Sequence, residues 1–240
     1  MFRAATKGRE LQLDNAGVVG GNEVFQDRET GSRWQQSSLQ AISGPLKGEH
    51  LELYPFLLTN WAEWHRLHPD TVVLKPLPGY ADRIPERNEM IRQGLSGEGA
   101  APPGVLRVDD RLKPRTMVLG LSVGGSEEAF PLTILRQARV INEEIGGQPV
   151  LIVHQPESDT TTAFIARVNG KNLKFAAANS EATQLKDDST GSQWDAYGNC
   201  VSGKLKGSQL TPLILEPEYW FAWSEFHPET KIYASTEQKR

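Results

Sequence analysis

The chain has 240 residues, with 26 Lys and Arg against 30 Asp and Glu, and no stretch gathers the basic residues together. That balance argues against a nucleic-acid footprint, and no apolar run approaches the roughly 20 residues of a membrane-spanning helix. Cys200 is the only cysteine, which excludes an intrachain disulfide and a thiolate metal cluster.

The N-terminus, MFRAATKGRE, lacks the apolar core of a signal peptide. Lys7–Leu13 reads as a Lys7-Gly8 turn followed by a strand of alternating apolar residues. Asp27–Trp34, DRETGSRW, predicts a strand–turn–strand in which Gly31 takes positive φ and Asp27 accepts bonds from turn amides while Trp34 enters the core. Ser43-Gly44-x-Leu46-Lys47-Gly48 reads as a glycine-flanked bend with an exposed lysine and lacks the order of a phosphate loop. Asn60 and Glu63 form a capping-box pattern opening a helix that Pro69 stops. Spacings i, i+3 and i+7 place Trp61, Trp64 and His68 on one face. The expectation is two indoles anchored on a sheet, with His68 closing the last turn.

Lys75–Thr116, rich in Pro and Gly, reads as an irregular connector with a short helix at Pro85–Gln93. Strands are expected at Val118–Val123, closed by Gly124-Gly125, and at Thr161–Val168. Phe130–Arg136 reads as a short helix, and Val140–Ile145 with Pro149–His154 as a hairpin about Gly146-Gly147. His154 stands without a nearby cysteine or nucleophile and reads as a core or edge histidine.

From there the text repeats. DDSTGSQW at Asp187–Trp194 matches Asp27–Trp34, CVSGKLKG at Cys200–Gly207 matches AISGPLKG at Ala41–Gly48, and WFAWSEFHPET at Trp220–Thr230 matches WAEWHRLHPDT at Trp61–Thr71. Glu216-Pro217-Glu218 is expected to supply an acidic, proline-led first turn to the second helix. All six tryptophans pair at offsets of 160 and then 159 residues, so the chain reads as a duplication. Phe2 matches Phe164, which leaves the counterpart of roughly residues 117–163 before Met1; the first copy is expected to be N-terminally incomplete.

Paired Thr-Gly-Ser turns raise the aspartic protease, and the residues reject it. The position before Thr-Gly is Glu29 in one half and Ser189 in the other, so two carboxylates sharing a proton cannot form. His65 is matched by Ser224, which removes a shared two-histidine metal site.

With these motifs, together with RVDDRLKPRTMVLGL at the connector's end, the chain resembles the bacterial domain-of-unknown-function family 3179 along essentially its whole length. Members of that family commonly look like two-copy proteins, often behind an export signal or lipoprotein segment, and the resemblance extends such an origin to the complete parent as an expectation. They often carry Cys-Pro-x-Cys on the first-copy strand corresponding to Val150–Ser158. In the second copy Gln155 and Ser158 stand where the cysteines would be. The resemblance names no activity and no cofactor.

The expected fold is α+β, mainly β: tandem-duplicated subdomains of β-hairpins, each with one Trp-bearing helix, about an approximate internal twofold. The expected organisation is a first repeat at 1–76, a connector at 77–115, a second, complete repeat at 116–235 and a polar tail at 236–240. The function expected is a non-catalytic binding or scaffolding protein for an unidentified small-molecule or protein partner. The candidate binding residues are Asp27, Trp34, Trp64 and His68, with Asp187, Trp194, Trp223 and His227, and no metal is expected. The alternative is a redox or metal-dependent enzyme whose CxxC site lies upstream of Met1. A strand or subunit completing the first repeat is a further expected partner.

Overall fold

The computed structural model describes residues 2–54, 56–75, 77, 79–80, 83–95 and 99–234; the polar tail at 236–240 lies outside the described residues, as do Pro76, Pro78 and Gly97 of the connector. Among the described residues strands far outweigh helices, so the architecture is α+β and mainly β. The helices described are α1 (Trp61–Leu67), α2 (Ile84–Leu95), α3 (Leu132–Ala138) and α4 (Trp220–Phe226). Two compact units form, each discontinuous in sequence.

The first unit takes Met1–Phe56, Gly94–Val118 and Glu218–Thr230. Its main sheet is an antiparallel meander of Leu13–Val19, Asn22–Asp27, Arg33–Gln35 and Ala41–Ser43. Gly20 and Gly21, both at positive φ, form the two-residue turn joining the first two strands. A small hairpin pairs Ala5–Thr6 with Arg9–Glu10 around Lys7-Gly8, and Phe2–Arg3 pairs with Glu52–Leu53. Leu11, Trp34, Leu39, Ala41 and Leu51 form the core cluster.

The second unit takes Leu57–Gln93, Leu119–Pro217 and Lys231–Arg240. Phe175–Ala177, Gln184–Asp187, Gln193–Asp195 and Cys200–Ser202 form a meander of the same strand order as the first unit's. A second sheet runs Val140–Ile145, Gln148–Gln155, Thr160–Ile165 and Thr211–Leu213, all antiparallel. Beside these, Ser126–Pro131 pairs in parallel with Lys231–Ile232. One apolar cluster surrounds Trp194 and Phe175; another lies between Leu121, Phe130, Leu135 and Ile152.

Several local expectations need adjustment. Glu216-Pro217-Glu218 does not form a helical first turn: Glu216–Tyr219 is a strand, and α4 begins at Trp220 with Tyr219 as N-cap and no acidic residue in its first turn. The proline's fixed φ suits an extended strand as readily as a helix start. The expected strand at Thr161–Val168 divides into Thr160–Ile165 and Arg167–Val168. The connector helix is longer than expected, reaching Ile84–Leu95.

Candidate functional site

The repeated Asp-x-x-Thr-Gly-Ser-x-Trp text builds the same buried pin twice. In the first unit the Trp34 indole N–H donates to Asp27 Oδ2 at 2.8 Å, and the Thr30 amide donates to Asp27 Oδ1 at 2.5 Å. Thr30 Oγ1 lies 2.7 Å from Ser32 Oγ, which accepts the Leu46 amide at 3.0 Å. In the second unit Trp194 donates to Asp187 at 3.0 Å, Thr190 to Asp187 at 2.6 Å, and Leu205 to Ser192 Oγ at 3.1 Å. Gly31 and Gly191 turn the chain at φ +71° and +70°. The serine thus ties each Thr-Gly-Ser turn to the following Ser-Gly-x-Leu-Lys-Gly bend.

Packing at that junction leaves no room for a Cβ. One added at Gly44 would lie 2.6 Å from Ser32 Cα, and one at Gly203 2.7 Å from Ser192 Cα. Trp34 and Trp194 have no exposed surface, and both aspartates are about 1% exposed. Burying one indole of ~150–250 Å² stabilises by about 4–6 kcal/mol at ~25 cal/mol per Å². For both carboxylates, burial opposes ionisation. The bonds from tryptophan, threonine and the turn amides outweigh it and hold each below the usual carboxylate range.

The two tryptophan helices share their internal geometry. Trp64 donates to Thr71 Oγ1 at 3.0 Å, and Trp223 to Thr230 Oγ1 at 3.0 Å. His68 and His227 are C-caps whose amides donate to the Trp64 and Trp223 carbonyls. Their rings pack on those tryptophans at centroid distances of 4.2 and 3.7 Å.

The surroundings of these helices differ. Helix α4 buries Trp220, Ala222, Trp223 and Ser224. The connector's end lies across it as a strap that turns at Asp110-Arg111 and again at Pro114-Arg115: the Trp220 indole donates to the Asp109 carbonyl at 3.0 Å, and the Arg111 guanidinium sits over the Trp220 ring at 5.1 Å. Arg111 also donates to the Thr230 carbonyl at 2.9 Å, and Glu225 accepts the Leu106 and Arg107 amides. The amides of Trp220 and Phe221 donate to the carbonyls of Thr116 and Pro114.

Helix α1 has no buried residue. Its polar side is attached: Asn60 Oδ1 accepts the Glu63 amide and Asn60 Nδ2 donates to the Glu157 carbonyl, while Thr59 and Thr160 share a 2.7 Å hydroxyl contact. Glu63 does not return to close the capping box; it pairs with Arg66 and accepts the Tyr197 hydroxyl. Arg66 foremost, and Tyr197 against the cost of burial, hold the Glu63 carboxyl down at about 2. Trp61 is 51% exposed and meets the His65 ring at a tilt of 43°, with centroids 5.4 Å apart. The expected burial of two indoles therefore holds for α4 and fails for α1.

His154 is fully buried, with Nδ1 3.0 Å from Thr161 Oγ1 and Nε2 3.5 Å from Asp159, whose carboxylate takes a fork from Arg136. Burial pushes the imidazole pKa down; Asp159 opposes, and Arg136 and Arg139 reinforce. Among the described residues no three His, Cys, Asp or Glu side chains converge as a metal site requires.

The eight candidate residues thus divide into two kinds of place. Asp27 with Trp34, and Asp187 with Trp194, are buried pins; Trp223 and His227 sit on the covered helix; Trp64 and His68 sit on the open one. Trp61 lies outside that candidate set although it presents the largest open aromatic surface on α1, and Tyr197, which reaches Glu63, was equally out of view. Pairing with Trp220 marks Trp61 as an anchor; only the absence of a second strap-like text beside it signals otherwise.

Fold and site together define a mainly-β α+β protein whose repeated polar motifs lock turns, with no helix among the described residues long and apolar enough to cross a membrane. Residues 1–230 match the family described as protein of unknown function (DUF3179), and the chain belongs to that family. No curated protein and no solved structure gave a match.

Proposed function

We propose that the chain is a tandem duplication, related by an approximate internal twofold, that works as a non-catalytic binding or scaffolding protein, with the open face of α1 as its binding surface. The observation that carries this reading is the contrast at matched positions: Trp220 is wholly covered, whereas Trp61 is half in water. An exposed indole costs apolar hydration, and exposed aromatics concentrate at interaction surfaces. The stretch around it adds Leu58 at 57%, Val72 at 91%, Val73 at 68% and Leu74 at 93% exposed. Trp64 and His68 belong to this face. Asp27, Trp34, Asp187 and Trp194 are structural pins within their own units, because their polar atoms are spent on one another.

A photo-crosslinking residue placed at position 61 tests the proposal, with position 18 as control, since Val18 is also 64% exposed. Crosslinks in the native cell to a discrete polypeptide at 61 and not at 18 support it. Equal or no crosslinking at the two positions overturns it.

A further inference from the structure

The chain carries, on α4, the template of a cover that α1 does not have among the described residues. Six groups receive the strap there: the Trp220 indole N–H, the Trp220 ring face, the Thr230 carbonyl, the Glu225 carboxylate and the backbone amides of Trp220 and Phe221. At the matched positions α1 offers Trp61 for the first two, Thr71 for the third, Arg66 for the fourth and the amides of Trp61 and Ala62 for the last two. Only the fourth is changed in kind. Among the described residues, no bond from the Trp61 indole N–H is formed.

Two further matched places show the same asymmetry. Lys231–Ile232 pairs with Ser126–Pro131, and Tyr233 donates to the Ala129 carbonyl and stacks on Phe130 at 5.2 Å. The matched Val72, Val73 and Leu74 form no strand and are exposed. Phe164 lies in a strand paired on both sides, with Leu151 and with Pro212. The matched Phe2 pairs with Leu53, in the same register as Phe164 with Pro212, and with no second strand among the described residues.

We infer that the α1 face docks a polypeptide segment of a partner protein carrying an Asp-x-Arg turn of the Asp109–Arg111 kind, in which the aspartate accepts the arginine amide. A backbone carbonyl of that segment accepts the Trp61 indole N–H. Its arginine lies over the Trp61 ring and donates to the Thr71 carbonyl, a cation–π contact combined with a charge-assisted hydrogen bond. Arg66 replaces the acceptor Glu225 and is itself paired with Glu63, so the segment engages from its Asp-x-Arg end onward and has no counterpart of the Leu106–Arg107 contact. Preformed geometry favours this occupant, because α1 already holds Trp64, His68 and Thr71 as α4 holds theirs, and little ordering is left to oppose binding. The inference rests on α1 being the binding face.

The test uses the full chain and a synthetic peptide of Val108–Thr116, VDDRLKPRT, followed by the Trp61 indole resonance in NMR. The expected result is a saturable shift, at least tenfold weaker for an R111A peptide and lost with W61A protein. W61A changes an exposed side chain and is expected to keep the wild-type melting temperature. No saturable shift at millimolar peptide, equal affinity for the R111A peptide, or undiminished binding to W61A protein would each overturn the inference. Light scattering adds the other occupant: a dimer dissociated by W61A would make a second copy the partner and overturn the partner-protein assignment. A negative peptide result beside positive crosslinking at position 61 rejects the Asp-x-Arg chemistry alone, whereas failure of both rejects the binding face.

Discussion

Helices α1 and α4 have matching text, matching caps and matching Trp–Thr and Trp–His contacts, yet one buries four residues and the other none. The difference lies outside the helices, in the Asp109–Thr116 strap that α4 has and that, among the described residues, has no counterpart on α1. A seven-residue helix is too short to hold itself in water. Its internal pattern therefore survives through whatever it packs on, which for α4 is the strap, and for α1 a set of polar tethers through Thr59, Asn60 and Glu63.

The sharpest way to break this comparison is to truncate the matched tryptophans. Trp220→Ala is expected to cost about 3–5 kcal/mol, as large buried side chains do. Trp61→Ala should fall within about 0.5 kcal/mol. Urea denaturation of both variants decides; equal losses would mean that α1 is as covered as α4.

The buried pins should behave alike in the two halves. Asp27→Ala and Asp187→Ala each strand an indole N–H and a turn amide, at about 1–3 kcal/mol for each unsatisfied group. The aspartates' folded pKa values lie below their unfolded value of about 4. Their contribution is therefore present above about pH 4 and is lost as pH falls through the folded value. Acid titration of stability for the Asp→Asn variants should show a shallower loss below that point. A cost confined to one half would separate the two pins.

Gly203→Ala and Gly44→Ala come next. Each forces a Cβ against serine backbone at a positive φ, for about 1–3 kcal/mol, whereas Gly207→Ala meets open space and bears only the roughly 1 kcal/mol of the left-handed conformation. Thermal melts that rank Gly207→Ala equal to Gly203→Ala would remove the tie between turn and bend.

His154 gives the smallest effect. Its folded pKa lies below the unfolded value of about 6.5, so its contribution is present above that pH and lost as pH falls. His154→Gln should flatten the decline in stability as pH falls below about 6.5. An unchanged profile would place the titration elsewhere.

Much of the fold was legible because turn chemistry and alternation are local. Gly146-Gly147, Lys7-Gly8 and the Thr-Gly-Ser turns demand positive φ, and the strands beside them follow from period-two burial. The Asp–Trp pins were legible in part, since an aspartate three residues before a threonine can accept its turn amide; that the same carboxylate would hold the indole was not. The strand at Glu216–Tyr219 was misread because Pro217 and the acids beside it suit a helix start as well as an extended segment.

The amino-acid sequence by itself determined much of the local apparatus of both halves: the turns, the acceptor role of each pin's aspartate, the histidine that closes each tryptophan helix, and membership of the DUF3179 family. Tertiary structure alone decided which of the matched tryptophans meets water. Burial is a property of what arrives from elsewhere in the chain, and the strap that covers Trp220 lies over a hundred residues from it in sequence. No periodicity within α1 or α4 encodes that arrival, so matched tryptophans became a buried anchor in one place and an open surface in the other.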